Sequence, residues 1–464
     1  SIACRPEGVG IEIVRPTHRL YGFRGDAVGN RIHVFGVGVV DADGRERVAR
    51  RRSEQIEGDG FDQDAVVVED DRIVLHTIIG GGRGQVVTDR SRSPVARVGP
   101  NGKACSRRAP SVTDRVDSSA DSPTRLGIVG AGAAGAGAAY ALRDADVDVT
   151  ILEKSGGVCG RAATRRRDGC YYDHGANYVK EVDERTASLL AELGTDGLVE
   201  IDEPVWTFDG TGEITPGDGR DSTKRTWSTG ITQLAKRLLD HADATVHRRT
   251  RIESIAGGET WTLTDTDGVD HGPFDALLVT PPAPQTADLL RATDWDDARR
   301  STLLEAVDSV SYRTIRTVVL HYPFHESYPW YGLVNPEYDH AIGWLSREEC
   351  KPGHVPDGES LLIVQMSPEW STETYDEELD AIQSRVCDQV ATLLDDERYQ
   401  DPDWVDDQGW RYALPDAAAD ADSTRAAEDA GLYVAGDWVV GEGRVPAALW
   451  NGFETGARLR TALE

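Results

Sequence analysis

Residues 126–161, LGIVGAGAAGAGAAYALRDADVDVTILEKSGGVCGR, constrain the fold more than any other part of the chain. A short apolar run leads into G-x-G-x-x-G at Gly130, Gly132 and Gly135. In such a turn the first glycine makes the bend and the second lets the backbone approach a pyrophosphate. The third lets the helix pack on the strand. The segment AAGAGAAYAL, with Ala134 in its first turn, reads as that helix. Its N-terminus offers unpaired N–H groups and the positive end of the helix dipole to the phosphates. The next strand, VDVTILE, ends at Glu153, placed for a ribose 2′-hydroxyl and unfavourable to a 2′-phosphate. Strand, helix, strand and acidic end in this order predict a dinucleotide fold.

NAD and FAD share this fingerprint, so the choice between them rests on the C-terminal stretch GLYVAGDWVVGEGRVPAALWNGFETGARL. A strand predicted over 432–435 runs into Gly436 and Asp437. A helix follows with Pro446 and Ala447 in its first turn and Leu449, Phe453 and Ala457 on one face. This element reads as the second half of an FAD site. Asp437 is expected at the ribityl–pyrophosphate part, and the helix N-terminus at the flavin N1–C2=O edge. There its dipole would stabilise negative charge on the reduced ring. An NAD enzyme needs no such element.

Charge divides the chain in two. Residues 1–124 hold 19 basic and 18 acidic side chains, whereas the remainder holds 31 and 62, which accounts for the net charge of −30. Lysine is scarce, and all eleven tryptophans lie beyond residue 124. So acidic a protein repels itself at ordinary salt, but at molar salt the Debye length is only about 3 Å. The composition predicts the cytoplasm of a salt-loaded cell and excludes nucleic acid and anionic membrane as partners. No run of 18 apolar residues appears, so no membrane span is expected. Six cysteines without a CxxC pair argue against a metal site or disulfide framework and suit a reducing compartment.

The first 124 residues show no lasting hydrophobic period. GGGRGQ, beginning at Gly80, precedes no helical pattern and reads as a turn, and CSRRAPSVTDRVDSSADSPT reads as a linker. Three readings of this block stand open: a small β-rich accessory domain, a disordered extension, and a non-native extension read from upstream of the true start. The missing acidic bias favours the last.

Over residues 125–464 the sequence resembles the FAD-dependent amine-oxidase superfamily and, within it, the renalase-like flavoproteins. EKSGGVCGRAATRR resembles the family's Glu-Lys followed by a Gly-Gly-Arg loop at the flavin, with Lys154, Gly160 and Arg161 in matching places. DHGANYV resembles the segment passing the isoalloxazine ring, which puts Gly175, Ala176 and Asn177 beside it. FDALLVTPPAPQT, with Thr280, is similar to the crossing into the substrate domain. AIGWLSREECKPG, LLIVQMSPEWS and GWRYALP resemble the renalase-like branch more specifically. Departures occur at Cys159, where the loop usually has glycine, at Ile231, where methionine is common, and at Gln408-Gly409, where a more basic pair is usual.

The resemblance implies an α/β fold: a Rossmann-type (GR2-like) FAD-binding domain with an inserted β-rich α+β substrate domain. The expected division is 125–175, 226–285 and 428–464 for the FAD domain, and 176–225 and 286–427 for the substrate domain. Ile252 joins the expected FAD contacts, and the FAD is expected to be non-covalent. The flavin carries the chemistry, so no catalytic triad is expected; Asn177, Trp344 and Trp410 are the pocket candidates. His174 is an acid–base candidate that reads more simply as a structural residue, and Cys159 as a small residue filling a glycine position. The implied reaction is hydride abstraction from a small molecule, with O2 or another acceptor reoxidising the flavin. The implied substrates are dihydro-NAD(P) isomers reduced at the wrong ring position. An amine oxidase or desaturase on the same scaffold, and a flavin-binding protein without turnover, remain open alternatives.

Overall fold

The apolar run ahead of the glycines forms a parallel strand buried on both faces, which is why it lacks polar alternation. In the computed structural model this strand, β1 (Thr124–Val129), is the centre of a five-stranded sheet. Beside it lie β2 (Val147–Glu153), β3 (Thr245–Arg248), β4 (Ala276–Val279) and β5 (Leu432–Val434), in the order β3-β2-β1-β4-β5. All the pairings are parallel, with Ile128 opposite Ile151 on one side and Leu278 on the other. The structure describes residues 123–217 and 222–464, together with the backbone of eight short strands between residues 14 and 77.

One face of the sheet is covered by helix α1 (Ala133–Ala141) and the long C-terminal helix α2 (Val445–Leu463). Helix α1 shows no amphipathic period because residues 133–140 are all buried. Gly137 of α1 faces α2: a methyl group added there would sit 2.6 Å from the Leu449 carbonyl. A methyl group on Gly452 would collide with the Ala134 carbonyl, and one on Gly456 would sit 2.6 Å from that of Ala138. The two helices therefore cross at backbone separation.

The second half is a seven-stranded sheet, in spatial order Ile214–Thr215, Val205–Phe208, Gly332–Val334, Ile342–Arg347, Ser360–Met366, Tyr312–Tyr322 and Trp404–Pro415. Helix Leu379–Leu394 closes its core through Ile382, Val386 and Val390 against Val318, Leu320, Leu362 and Val364. The two longest strands pair from Tyr312↔Pro415 to His321↔Trp404, with a register shift between Arg313 and Ile315. The α/β architecture with a β-rich insertion is the one the sequence predicts.

The boundary expected at 285 falls inside helix Ala283–Arg291. Helix Ala298–Asp308 follows and shares a core with the nucleotide-side sheet, Leu303 and Val307 joining Val279 and Leu432. The apolar pattern of a helix does not say which of two sheets it returns to. Among the described residues no helix is long and apolar enough to cross a membrane.

The chain divides into two compact units, Ser1–Thr113 and Asp114–Glu464. In the first, Asp64–Glu69 pairs antiparallel with Arg72–Thr77. Four further strands form an antiparallel sheet. The turn read at Gly80 lies outside the described residues, as does the linker read over 105–124 as far as residue 122, Thr124 already belonging to β1.

Candidate active site

A cleft of about 1580 Å³ runs from the glycine turn to the edge of the seven-stranded sheet. It exceeds the range of about 300–1,000 Å³ usual for small-molecule pockets, which leaves room for a dinucleotide and a second molecule. At its nucleotide end Gly130 takes φ +100°, a left-handed geometry that glycine adopts without steric cost. The Gly130 N–H donates to Leu152 O at 2.9 Å, and Thr280 Oγ1 donates to Val129 O at 2.8 Å, fixing the turn from both sides. Gly132 caps α1 without a side-chain hydrogen bond, and a methyl group added there would meet nothing within 4 Å. The helix N-terminus thus opens onto the cleft beside Ala133 and Ala134. Gly135 lies behind the lining: an added methyl would strike the Gly130 carbonyl, so this glycine sets the helix against the turn.

Glu153 is buried, and its two oxygens accept from Ala131 N at 2.8 Å and Ser155 N at 2.7 Å. Each carboxylate oxygen keeps further acceptor capacity for a ribose hydroxyl. Lys154 donates to Gln285 at 3.0 Å, and Ile252 and Thr280 line the same end. Cys159 has φ +80°, beside Gly160 at +59°, in the loop that returns to the turn. Its N–H donates to Ala131 O at 2.8 Å, and burial pushes its thiol up to about 12.

The middle of the cleft joins distant segments. Arg161 Nη2 lies 2.7 Å from Asp437 Oδ1, and Nη1 donates to Ala413 O at 2.9 Å. Burial works against the Arg161 charge, but the Asp437 carboxylate outweighs it and raises the guanidinium's pKa. Gly436 N donates to Asn451 Oδ1 of α2 at 2.9 Å, which sets the Gly436-Asp437 corner. Pro446 lines the cleft, whereas Ala447 is not among its lining residues. The uncapped helix start, the open space at Gly132 and the Arg161 guanidinium fit a pyrophosphate; the room beyond fits a flavin ring.

The segment 173–178 forms the wall at the far end. Gly175 packs so closely on Arg161 that an added methyl would strike the Arg161 carbonyl. Gln365 Nε2 donates to Gly175 O at 2.7 Å and Trp410 Nε1 to His174 O at 3.1 Å. The His174 ring stacks on Trp410 at 5.3 Å, and burial, reinforced by Arg165, pushes its pKa down to about 4. His174 is therefore a neutral ring at neutral pH. Asn177 lines the cleft, but its amide donates to Asp173 O at 2.8 Å and so braces its own loop. Trp344 and Trp410 both line this end, with Tyr178 and Tyr375.

Behind the wall lies a buried ionic quartet without a counterpart in the sequence reading. Lys351 Nζ meets Asp173 Oδ2 at 3.0 Å and Glu348 Oε1 at 2.6 Å, all fully buried. His354 faces Glu348 Oε2 and Trp227 O, each at 2.9 Å. Burial of Asp173 favours its neutral form, yet Lys351, His354 and the Thr164 hydroxyl hold its carboxyl below the usual range. Asp173 also accepts from Ile231 N at 3.0 Å, so one side chain fixes the start of the wall. The run of charges in REECKPGH was the available signal; its partner Asp173 lies 178 positions away from Lys351. Gln365 was also missed as an individual residue, although it sits within the quoted LLIVQMSPEWS.

Residues 210–459, more than half of the chain, match the model of the flavin containing amine oxidoreductases. The chain belongs to that family. Residues 128–193 match an NAD(P)-binding Rossmann-like domain. Protoporphyrinogen oxidase 2, chloroplastic/mitochondrial, of Arabidopsis thaliana is 39% identical over 75 residues, which are 16% of this chain and 15% of that protein. Among solved structures, cyclohexylamine oxidase from Brevibacterium oxydans is similar at a TM-score of 0.57 and 13% identity, covering 74% of this chain and 100% of that one. Putrescine oxidase, wild type bound to putrescine, gives 0.57 and 13%, over 73% and 99%. These two likenesses concern the fold. The family membership makes this chain an FAD-dependent oxidoreductase.

Proposed function

We propose that this family member oxidises dihydro-NAD(P) isomers reduced at the wrong ring position, returning them to NAD(P)+. FAD, when bound, supplies a two-electron acceptor at its N5, and O2 or another acceptor takes the electrons on. Loss of a hydride from the saturated ring carbon leaves an aromatic pyridinium, so the substrate needs no base to take a proton. The observation that carries the reading is a cleft continuous from the nucleotide turn to a far end that Trp344, Trp410 and Tyr178 all line. Flat aromatic walls suit a flat ring that must lie against the flavin. Gln365 and Trp410 hold the carbonyls of Gly175 and His174, and so keep the wall in place. His174, neutral and stacked, offers bulk and excludes water without adding charge.

Anaerobic addition of the 2- and 6-dihydro isomers to the yellow holoenzyme is expected to bleach the flavin within seconds, with 1,4-NADH leaving it nearly unchanged. The FAD is expected to leave on denaturation, because the reading has it bound without a covalent link. The second reading, amine oxidation, is favoured by the fold likeness to putrescine and cyclohexylamine oxidases. Putrescine, cyclohexylamine and secondary amines therefore belong in the same assay. Bleaching by an amine and by neither isomer would replace the first reading with the second.

A further inference from the structure

The cleft's cations stand at both ends, with Lys154, Arg161, Arg251 and Arg444 on the nucleotide half, but its carboxylates stand at one end only. Its carboxylates, Glu153, Glu253, Asp288 and Asp437, all stand on elements of the nucleotide half. The hairpin Thr164–Arg167/Cys170–Asp173, the strand Val179–Lys180 that follows the far wall and the seven-stranded sheet contribute Arg165, Lys180 and Arg411, and the wall and these elements add no lining carboxylate among the described residues. Beyond residue 124, 62 of 93 charged side chains are acidic, so three cations together depart from the composition. Arg165 is already committed, to Asp406 at 2.8 Å and to Gln408 at 2.6 Å.

The other two cations are available. Val179 turns into the core, so its neighbours Tyr178 and Lys180 share the opposite, cleft-lining face. No ion pair of Lys180 lies within 4 Å among the described residues. Arg411 is half exposed, and its nearest carboxylate, Asp376, is 3.8 Å away and almost fully in solvent. The guanidinium lies 4.2 Å from the centre of the Tyr375 ring, which steadies it at the cleft without neutralising it.

We propose that Lys180 and Arg411 form an anion subsite at the substrate end of the cleft, and that the substrate is a planar molecule carrying a phosphate. A cationic amine would meet like charge here and no carboxylate. The inference rests on the dihydronicotinamide reading for the identity of the planar part. At molar salt, where screening acts within about 3 Å, only direct contact keeps such an attraction, so the cations must touch the phosphate.

The test uses the holoenzyme at the lowest salt that retains FAD, with nicotinamide riboside and its 5′-phosphate, nicotinamide mononucleotide, as unreactive probes. Binding is read from the perturbed spectrum of the oxidised flavin. The mononucleotide is expected to bind about tenfold more tightly than the riboside, or about 1.4 kcal/mol. That ratio should fall as salt rises. It should shrink to about twofold or less in Lys180→Met/Arg411→Met, while Lys236→Met, which removes an exposed charge outside the cleft lining, keeps it near ten. A wild-type ratio near one, or a tenfold ratio surviving in the double variant, overturns the subsite. Where the double variant fails to fold, the single variants Lys180→Met and Arg411→Met decide the matter: each is expected to lower the ratio, and a tenfold ratio kept in both overturns the subsite.

Turnover of the dihydro isomers of the same two compounds separates the two claims. Bleaching by both with equal kcat/KM would leave the proposed function standing and remove the subsite. A tenfold binding ratio without bleaching by either isomer would keep the subsite and remove the substrate.

Discussion

Arg161 and Asp437 meet at 2.7 Å although 276 positions separate them, and their contact closes the cleft between the glycine loop and the C-terminal corner. Asp437 is buried, and Arg161 is the cation it faces. Asp437→Ala takes away the partner of Arg161 and a polar group facing the cofactor's path. A hydrogen bond involving a charged group contributes about 1.5–3 kcal/mol. FAD affinity, measured by fluorescence titration of the apoprotein, is expected to fall by about ten- to a hundredfold. Asp437→Asn, which keeps an acceptor oxygen, should fall by less. Equal affinity in all three proteins would remove Asp437 from the FAD site.

Cys159 sits at φ +80° where the family pattern has glycine. Left-handed backbone costs a side-chain-bearing residue roughly 1–2 kcal/mol, and the buried Sγ returns part of that through packing. Cys159→Gly releases the strain and loses the packing; Cys159→Ala keeps the strain and loses the packing. The glycine variant should therefore exceed the alanine variant by about 1 kcal/mol in urea unfolding. The reverse order would show that this backbone is not strained. With its thiol raised to about 12, Cys159 should also resist alkylation in the folded protein.

The parts of the site legible in the sequence are those whose geometry is local. A glycine needed at φ +100° and an acidic residue at a strand end are written within thirty residues of each other, and the turn forms wherever that spelling occurs. Lys351 and Asp173 are written far apart. Nothing local distinguishes a lysine that will be buried between two carboxylates from one in a solvated turn. The same limit explains the boundary at 285: the pattern of Ala283–Arg291 gives a helix, not the sheet it packs on. Asn177 was legible as a residue of the wall, but the direction of its amide depended on Asp173 O.

His174 provides a pH test. Its folded pKa is pushed down to about 4 by burial and Arg165, against 6.5 ordinarily. Between those values the unfolded chain binds a proton that the folded chain refuses, so stability falls as pH falls through the window and levels off below it. Glu349, pushed up to about 7 by burial, acts in the opposite direction, its contribution falling as pH rises from about 4.5 to 7. The difference between wild type and His174→Asn isolates the histidine. From pH 7 to pH 4 the wild type is expected to lose on the order of 3 kcal/mol more than the variant. Parallel stability curves would mean that the ring is protonated in the fold.

The crossing of α1 and α2 predicts a steep cost for a single methyl group. Gly452 faces the Ala134 carbonyl in the first turn of the helix that starts at the pyrophosphate end of the cleft. Gly452→Ala must separate the helices, an overpacking that costs about 1–3 kcal/mol or more. Because the shift moves the start of α1, FAD affinity should weaken as well. Gly258→Ala, where an added methyl meets nothing within 4 Å, is the control expected to change neither quantity. Equal midpoints for the two variants would contradict the close crossing.

The buried quartet makes the sharpest stability prediction because its charges have no water to fall back on. Lys351 touches Asp173 and Glu348 at once, and burial alone would discharge it; the two carboxylates outweigh that effect and hold its pKa above the ordinary value. Lys351→Met leaves two carboxylates facing only His354, and removing one partner from a buried ionic group costs about 3–5 kcal/mol. Adding Glu348→Gln to Lys351→Met removes the excess negative charge and should recover a substantial part of that loss, so the two substitutions should be far from additive. The loss should also show in the flavin's visible circular dichroism, since Asp173 leads directly into His174, Gly175 and Ala176 at the cleft. Urea unfolding of the four proteins of this cycle measures the coupling. Additive effects, with the double variant less stable than Lys351→Met alone, would mean that the quartet does not act as a unit.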